Sequence, residues 1–169
     1  MGSELYWIPT DAPGRLAIMP RPRGGDWLQE EVRAWRDAGV DVIVSLLSEE
    51  EIRDLELAEE QSLCNAQGIE FVAFPITDRG VPPAKDAVIE LACKLHRHLV
   101  EGKNIAIHCR QGIGRAALIA ICVLVMGGLE FAQAVDRVGK SRGITVPETS
   151  EQLRWIKDFA LATHALATK

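Results

Sequence analysis

The residues best placed by type and spacing to do chemistry are Cys109 and Arg115, with five residues between them in the stretch HCRQGIGR, residues 108–115. A cysteine thiolate is a strong nucleophile. The planar fork of an arginine can hold two oxygens of one phosphoryl group, which a lysine cannot do. The loop between them carries Gly112 and Gly114 and runs into an apolar stretch. A glycine-bearing loop that opens a helix aims several backbone N–H groups at one point. Such a nest of amides binds an anion with several oxygens. The amides of Arg110, Gln111, Gly112, Ile113 and Gly114, with the Arg115 side chain, are therefore the expected anion-binding set. The helix terminus and Arg115 both favour ionised Cys109. Asp78 lies 31 residues earlier in the loop TDRGVPP, residues 77–83. A carboxyl group there could deliver a proton. Its plain alternative is a turn aspartate beside Gly80.

These residues need elements to hold them. The β-branched run VDVIVSLL, residues 40–47, and residues 69–75 read as strands buried on both faces. Residues 104–107 read as a third such strand, leading directly into the cysteine loop. Residues 5–8 and 16–19 read as two short strands around an Asp-Ala-Pro-Gly turn. Helices are expected after Asp26 as N-cap through Trp35, from Ser48 as N-cap toward Asn65, and over residues 84–100, 115–126, 131–140 and 150–165. The acidic run 49–51 reads as a solvated helix face. Strands alternating with helices predict an α/β fold: one domain over residues 1–169, with a central, mostly parallel sheet flanked by helices. In such sheets ligands bind beyond the carboxyl ends of the strands, so the loops of Asp78 and Cys109 are expected on one edge.

The pattern His, Cys, five residues, Arg resembles the signature loop of the cysteine-dependent protein tyrosine phosphatase superfamily. VDVIVSLL, then GIEFVAFPITDRGVP, then the signature loop and its helix occur in the order of the small dual-specificity-like enzymes. The Asp-Arg-Gly-Val-Pro segment is most similar to the kinase-associated phosphatase branch. The resemblance implies that Cys109 is the nucleophile, Arg115 the phosphate-binding arginine and Asp78 the general acid on a movable loop. It implies hydrolysis of phosphomonoesters, phosphotyrosine and also phosphoserine or phosphothreonine in proteins, through a phosphocysteine, with no metal or cofactor. His108 would hold the loop, and the bland reading is a satisfied half-buried histidine. Gln152 resembles a glutamine that positions water in some members, although an ordinary exposed helix position is favoured. One departure is Ala116, where the family has Ser or Thr beside the sulfur. Its missing hydroxyl is expected to slow breakdown of the phosphocysteine.

Composition bounds the rest. The chain has 169 residues, of which 47% are hydrophobic and 25% charged, the profile of an ordinary globular domain. Its net charge of -5 gives no general attraction for nucleic acid or anionic lipid, so any phosphate must be drawn in by a local positive site. No apolar run spans a bilayer, and residues 1–11 lack the basic-then-apolar order of a signal peptide. Cys64, Cys93 and Cys122 show no Cys-x-x-Cys spacing and read as inert core or near-surface thiols. His96, His98 and His164 read as surface helix residues. The expected partner is a phosphorylated protein or small phosphomonoester, the expected state a monomer and the expected compartment the cytoplasm. Two other readings remain: a phosphoprotein-binding module with weak turnover, motivated by Ala116, and a rhodanese-like sulfurtransferase, which also keeps a cysteine in an anion-binding loop.

Overall fold

A computed structural model describes residues 4–167 of the chain; Met1 to Ser3, part of the N-terminal segment read above, lie outside the described residues. Five strands form one sheet: β1 (Tyr6–Ile8), β2 (Leu16–Met19), β3 (Val42–Ser45), β4 (Glu70–Ala73) and β5 (Ile105–His108). Their spatial order is β1-β2-β5-β3-β4, and only β1 runs antiparallel. The helices are α1 (Leu28–Asp37), α2 (Glu49–Asp54), α3 (Glu60–Ala66), α4 (Lys85–Val100), α5 (Arg115–Met126), α6 (Phe131–Arg142) and α7 (Ser150–Ala167). The expected α/β class, with a mostly parallel sheet, is the observed one.

Strand β5 is central. Its side chains alternate between faces, as the pleat requires. Ile105 and Ile107 pack into the core under α4, α5 and α7. Ala106 packs into a second core with Trp35 of α1 and Cys64 of α3. Helix α5 is buried without a break from Arg115 to Leu124, as its uniformly apolar sequence requires. Register levels the carboxyl ends of the strands: His108 pairs with Met19 on one side and Ser45 on the other, and Ser45 pairs with Ala73. The segments that leave β3, β4 and β5 therefore open along one edge.

Several local expectations are corrected. Residues 69–75 do not form a strand buried on both faces. β4 is the sheet's outer strand and is half-buried, with Ala73 exposed. Asp26 does not cap α1. It lies inside a 3-10 turn, Gly25–Trp27, that leads into the helix. The helix begun at Ser48 does not continue toward Asn65. It ends at Asp54, Glu56 adopts a left-handed φ of 56°, and a separate α3 follows. Helical propensity is present throughout that stretch, but Leu57 has to turn inward to reach the second core. His96 and His98 are half-buried rather than surface residues, with His98 Nε2 3.4 Å from Glu70. His164 is exposed, as expected.

Candidate active site

The segment after β5 curls into a compact loop because Gly112 adopts φ 74°. A Cβ at that position would lie 2.6 Å from the Met19 carbonyl carbon, so both the conformation and the close approach demand glycine. Within this curl Cys109 is 3% exposed. Its Sγ accepts the amide N–H of Gly112 at 3.2 Å and of Ala116 at 3.4 Å. The second donor belongs to the residue whose side chain lacks the hydroxyl. The amide of the same residue thus reaches the sulfur.

Arg115 opens α5 but points back along the sheet edge, where it is almost fully buried. Nη1 donates to Glu51 Oε1 at 2.7 Å and to the Ile76 carbonyl at 2.9 Å. Nη2 donates to Glu51 Oε2 at 3.0 Å and to Asp78 Oδ1 at 3.0 Å. Glu51 thus receives the guanidinium fork in two parallel bonds. Burial disfavours both charges, yet the pair overrides it. The Glu51 carboxyl is held below its ordinary range against burial by the Arg115 hydrogen bond, with help from the Ser48 N–H. Arg115 is pushed above its ordinary value against burial, chiefly by the bond to Glu51 and then by the charge of Cys109.

The acidic run 49–51 is therefore not simply a solvated face. Glu49 and Glu50 are exposed, but Glu51 is 6% exposed and closes a capping box with Ser48. That box was legible as an N-cap serine followed three residues later by glutamate. It turns the third acid of the run inward, a step the charge pattern alone does not reveal.

Asp78 stands at the rim, half exposed, with its carboxylate on Arg115. Two bonds moor its loop to the first turn of α7 and the residues just before it. Arg79 Nη1 meets Glu148 Oε1 at 2.6 Å, and Gln152 Nε2 donates to the Gly80 carbonyl at 3.0 Å. Gln152 is fully buried and exchanges bonds with Thr149, so the exposed position expected for it is corrected. Arg110 points outward, about half exposed, 3.8 Å from Glu51. Gln111 is exposed and Ile113 half-buried, while their backbone forms the curl. A cavity of about 110 Å³ is lined by Asp78, Arg79, Cys109, Arg110, Gln111, Gly114, Arg115 and Glu148.

His108 is fully buried rather than half-buried. Strand alternation sends it to the opposite face of the sheet, where Nε2 lies 2.6 Å from Glu60 Oε1 and the ring stacks near Trp35. The loop is thus anchored through its two ends on both faces. Glu60 was not singled out in the sequence, where it falls within the helix expected from Ser48 toward Asn65. Two of the other thiols are poor nucleophiles: burial and the charge of Glu60 push Cys64 up to about 12, and burial raises Cys122 well above its ordinary value. Among the described residues no group of three His, Cys, Asp or Glu side chains could hold a metal ion. No helix of the described residues is long and apolar enough to cross a membrane.

At the carboxyl edge of the sheet, the head of a central helix thus brings together a buried cysteine whose sulfur accepts two backbone amides, a buried arginine and an aspartate at the rim. The chain belongs to the family described as "Polymorphic toxin system, DSP-PTPase phosphatase", whose model matches residues 17–129. Mouse protein tyrosine phosphatase type IVA 3 is 25% identical over 111 residues, covering 64% of this chain and 62% of that protein. Rat cyclin-dependent kinase inhibitor 3 is 24% identical over 134 residues, covering 78% and 63%. The chain thus spans a little under two thirds of these curated relatives. Among solved structures, kinase associated phosphatase with its catalytic cysteine replaced by serine superposes with a TM-score of 0.87 at 20% identity, covering 98% of both chains. Tk-PTP in its active form superposes with a TM-score of 0.70 at 25% identity, covering 88% of this chain and 92% of that one. The small dual-specificity-like resemblance read from the sequence is thereby established.

The Arg115–Glu51 pair makes a prediction about pH. A carboxyl group held low in the folded state adds stability above its unfolded pKa, and that stability is lost as pH falls through the folded value. Glu51→Gln should lower stability at neutral pH by roughly 3–5 kcal/mol, the usual cost of stripping one partner from a buried pair. The gap between the two proteins should narrow as pH falls below the ordinary glutamate value of 4.5. Chemical denaturation of both proteins between pH 3 and pH 8 measures this; a gap independent of pH would remove Glu51 from the linkage.

Proposed function

We propose that this chain is a phosphatase that hydrolyses phosphomonoesters, with phosphotyrosine and phosphoserine or phosphothreonine of proteins as the substrate class, through a phosphocysteine. The single observation that carries this reading is the convergence of Cys109 Sγ, the loop amides, Arg115 and Asp78 on one small cavity at the sheet edge.

The chemistry follows from the geometry. The phosphoryl group enters the cradle, and the amides of residues 110–115 bind its equatorial oxygens. Arg115 offers Nε, which has no partner among the described residues, and the Nη2 hydrogen now given to Asp78. An incoming phosphoryl oxygen competes with Asp78 for that hydrogen, so binding frees the carboxyl group to face the leaving oxygen. Glu51 keeps the outer edge of the guanidinium occupied, leaving the side facing the cavity for substrate. Cys109 thiolate forms the S–P bond as the P–O bond breaks, and Asp78 gives its proton to the departing oxygen. Water then attacks phosphorus and gives a proton to the Asp78 carboxylate. The P–S bond breaks, inorganic phosphate forms, and the thiolate is restored. Charge on the equatorial oxygens is met throughout by donors already in place. Gln152 and Arg79 position the Asp78 loop through Gly80 and Glu148.

The binding-module and sulfurtransferase readings are not favoured. The family is that of phosphatases, and an acid poised beside the arginine has a use only when an oxygen leaves. All four cysteines are free, which suits a reducing compartment, and we assign the protein to the cytoplasm. We assign a monomer as the working state. The net charge of -5 supports a protein or small phosphomonoester, rather than nucleic acid, as the partner.

The test of the nucleophile is Cys109→Ser, which should abolish hydrolysis of an aryl phosphate while keeping affinity for phosphate or vanadate, because the cradle and Arg115 are untouched. Retained turnover would overturn the covalent route. Asp78→Asn should slow alkyl and tyrosyl phosphates by about 10² to 10⁴. It should slow p-nitrophenyl phosphate far less, since that leaving group needs little protonation. Equal losses on both would assign the proton to another group. A third expectation concerns Ala116. Two amides already stabilise the Cys109 sulfur, and a hydroxyl would add one more donor to the departing thiolate. The wild-type protein should give a burst of p-nitrophenol equal to the enzyme present, followed by a slower steady rate. Ala116→Ser should raise the steady rate by roughly 10- to 150-fold, the range that one bond to a charged group allows. Stopped-flow traces without a burst, with equal rates for both proteins, would mean that the amides suffice.

A further inference from the structure

The anion cradle is braced from outside by a residue that lies well beyond it in sequence. Arg142, at the end of α6, directs its guanidinium at two successive carbonyls of the loop. Nε donates to the Gly112 oxygen at 3.2 Å and Nη2 to the Gln111 oxygen at 3.2 Å. The face of the same guanidinium lies 4.1 Å from the centre of the Tyr6 ring on β1, so its plane is held as well as its edge.

In a trans peptide unit the C=O and the N–H point in opposite directions. The Gln111 carbonyl shares its plane with the Gly112 N–H, and the Gly112 carbonyl shares its plane with the Ile113 N–H. Drawing both carbonyls outward therefore turns both N–H groups inward. The Gly112 N–H does point inward, at Cys109 Sγ. Gly112 has no side chain to fix these planes, and glycine by itself visits positive and negative φ about equally. A rotation of either plane would put a carbonyl oxygen where the anion binds and would repel it.

We propose that Arg142 is a positioning residue for oxyanion capture: by holding the Gln111 and Gly112 carbonyls outward it fixes the inward orientation of the amides that receive the phosphoryl group. This rests on the phosphatase reading above and assigns a role to a side chain that touches neither substrate nor sulfur. The effect belongs to anion affinity, not to proton delivery. Its loss should appear in KM and in the affinity for inorganic phosphate and vanadate, and should leave the shape of the pH–rate profile unchanged.

The experiment uses the full chain and measures binding of inorganic phosphate and of orthovanadate by calorimetry, beside steady-state kinetics on an aryl phosphate. Arg142→Ala should weaken both anions by roughly ten- to a hundredfold, the range expected for loss of charge-assisted bonds. Arg142→Lys should fall between wild type and alanine, since an ammonium reaches one carbonyl but cannot span two. Added methylguanidinium should restore part of the affinity of the alanine variant. Arg137→Ala, on the same helix but bonded to the Pro9 carbonyl, should bind both anions like wild type. A folded Arg142→Ala with wild-type affinity would overturn the proposal, as would an equal loss in Arg137→Ala. If the alanine variant does not fold, Arg142→Lys decides, and wild-type affinity there overturns it. Wild-type protein with no affinity for either anion would instead overturn the phosphatase reading itself, and this one with it.

Discussion

A buried positive charge at the end of a sheet is the constraint around which this molecule is organised. Arg115 is 2% exposed, and an isolated guanidinium in such a place would be prohibitively costly. Glu51 makes it tolerable by taking the fork in two bonds, and the carbonyls of Ile76 and Leu46 add acceptors for Nη1. The charge and its partners come from three strand exits: Leu46 and Glu51 follow β3, Ile76 follows β4, and Arg115 follows β5. Satisfying one charge thus ties together the three segments that leave the carboxyl edge. The level register of β3, β4 and β5 makes this possible, because it brings the three exits to the same height.

The same constraint separates two kinds of work. The outer edge of the guanidinium is spent on structure and the inner edge is turned to the cavity. Asp78 accepts one hydrogen of that inner edge, which ties its loop to the arginine. Below the sheet, His108 and Glu60 provide a second anchor on the opposite face. The loop is therefore held from its first residue by one core and from its last by the other, and Arg142 meets its middle.

How much of this could be read from the chain depends on the range of the interaction. Cys109, Arg115 and the glycines are close in sequence, and their spacing alone implies a cradle. The buried strands β3 and β5 declare themselves by β-branched runs, and α5 by an apolar sequence with no polar face. Asp78 was placed by topology, since parallel strands send their loops to one edge. Glu51, Glu60, Arg142 and the burial of Gln152 were not legible. Each is a charged or polar residue on a helix, and local pattern treats such a residue as solvated. Their inward turn is decided by partners 64, 48, 30 and 72 residues away. The break between α2 and α3 escaped for a related reason: local helical preference runs through it, and only the need to bury Leu57 interrupts it.

The mooring of the Asp78 loop differs in kind from the pairing beneath it. Arg79 is 63% exposed, and its link to Glu148 faces water. Charges in that position feel dissolved ions, whose screening reaches about 8 Å at physiological ionic strength, whereas a desolvated pair such as Arg115–Glu51 is screened much less. Added salt therefore loosens the rim while the floor of the site keeps its shape. The exposed link at the rim and the desolvated pair at the floor are set apart by solvent access, so the ionic composition of the surroundings acts on one of them and largely spares the other.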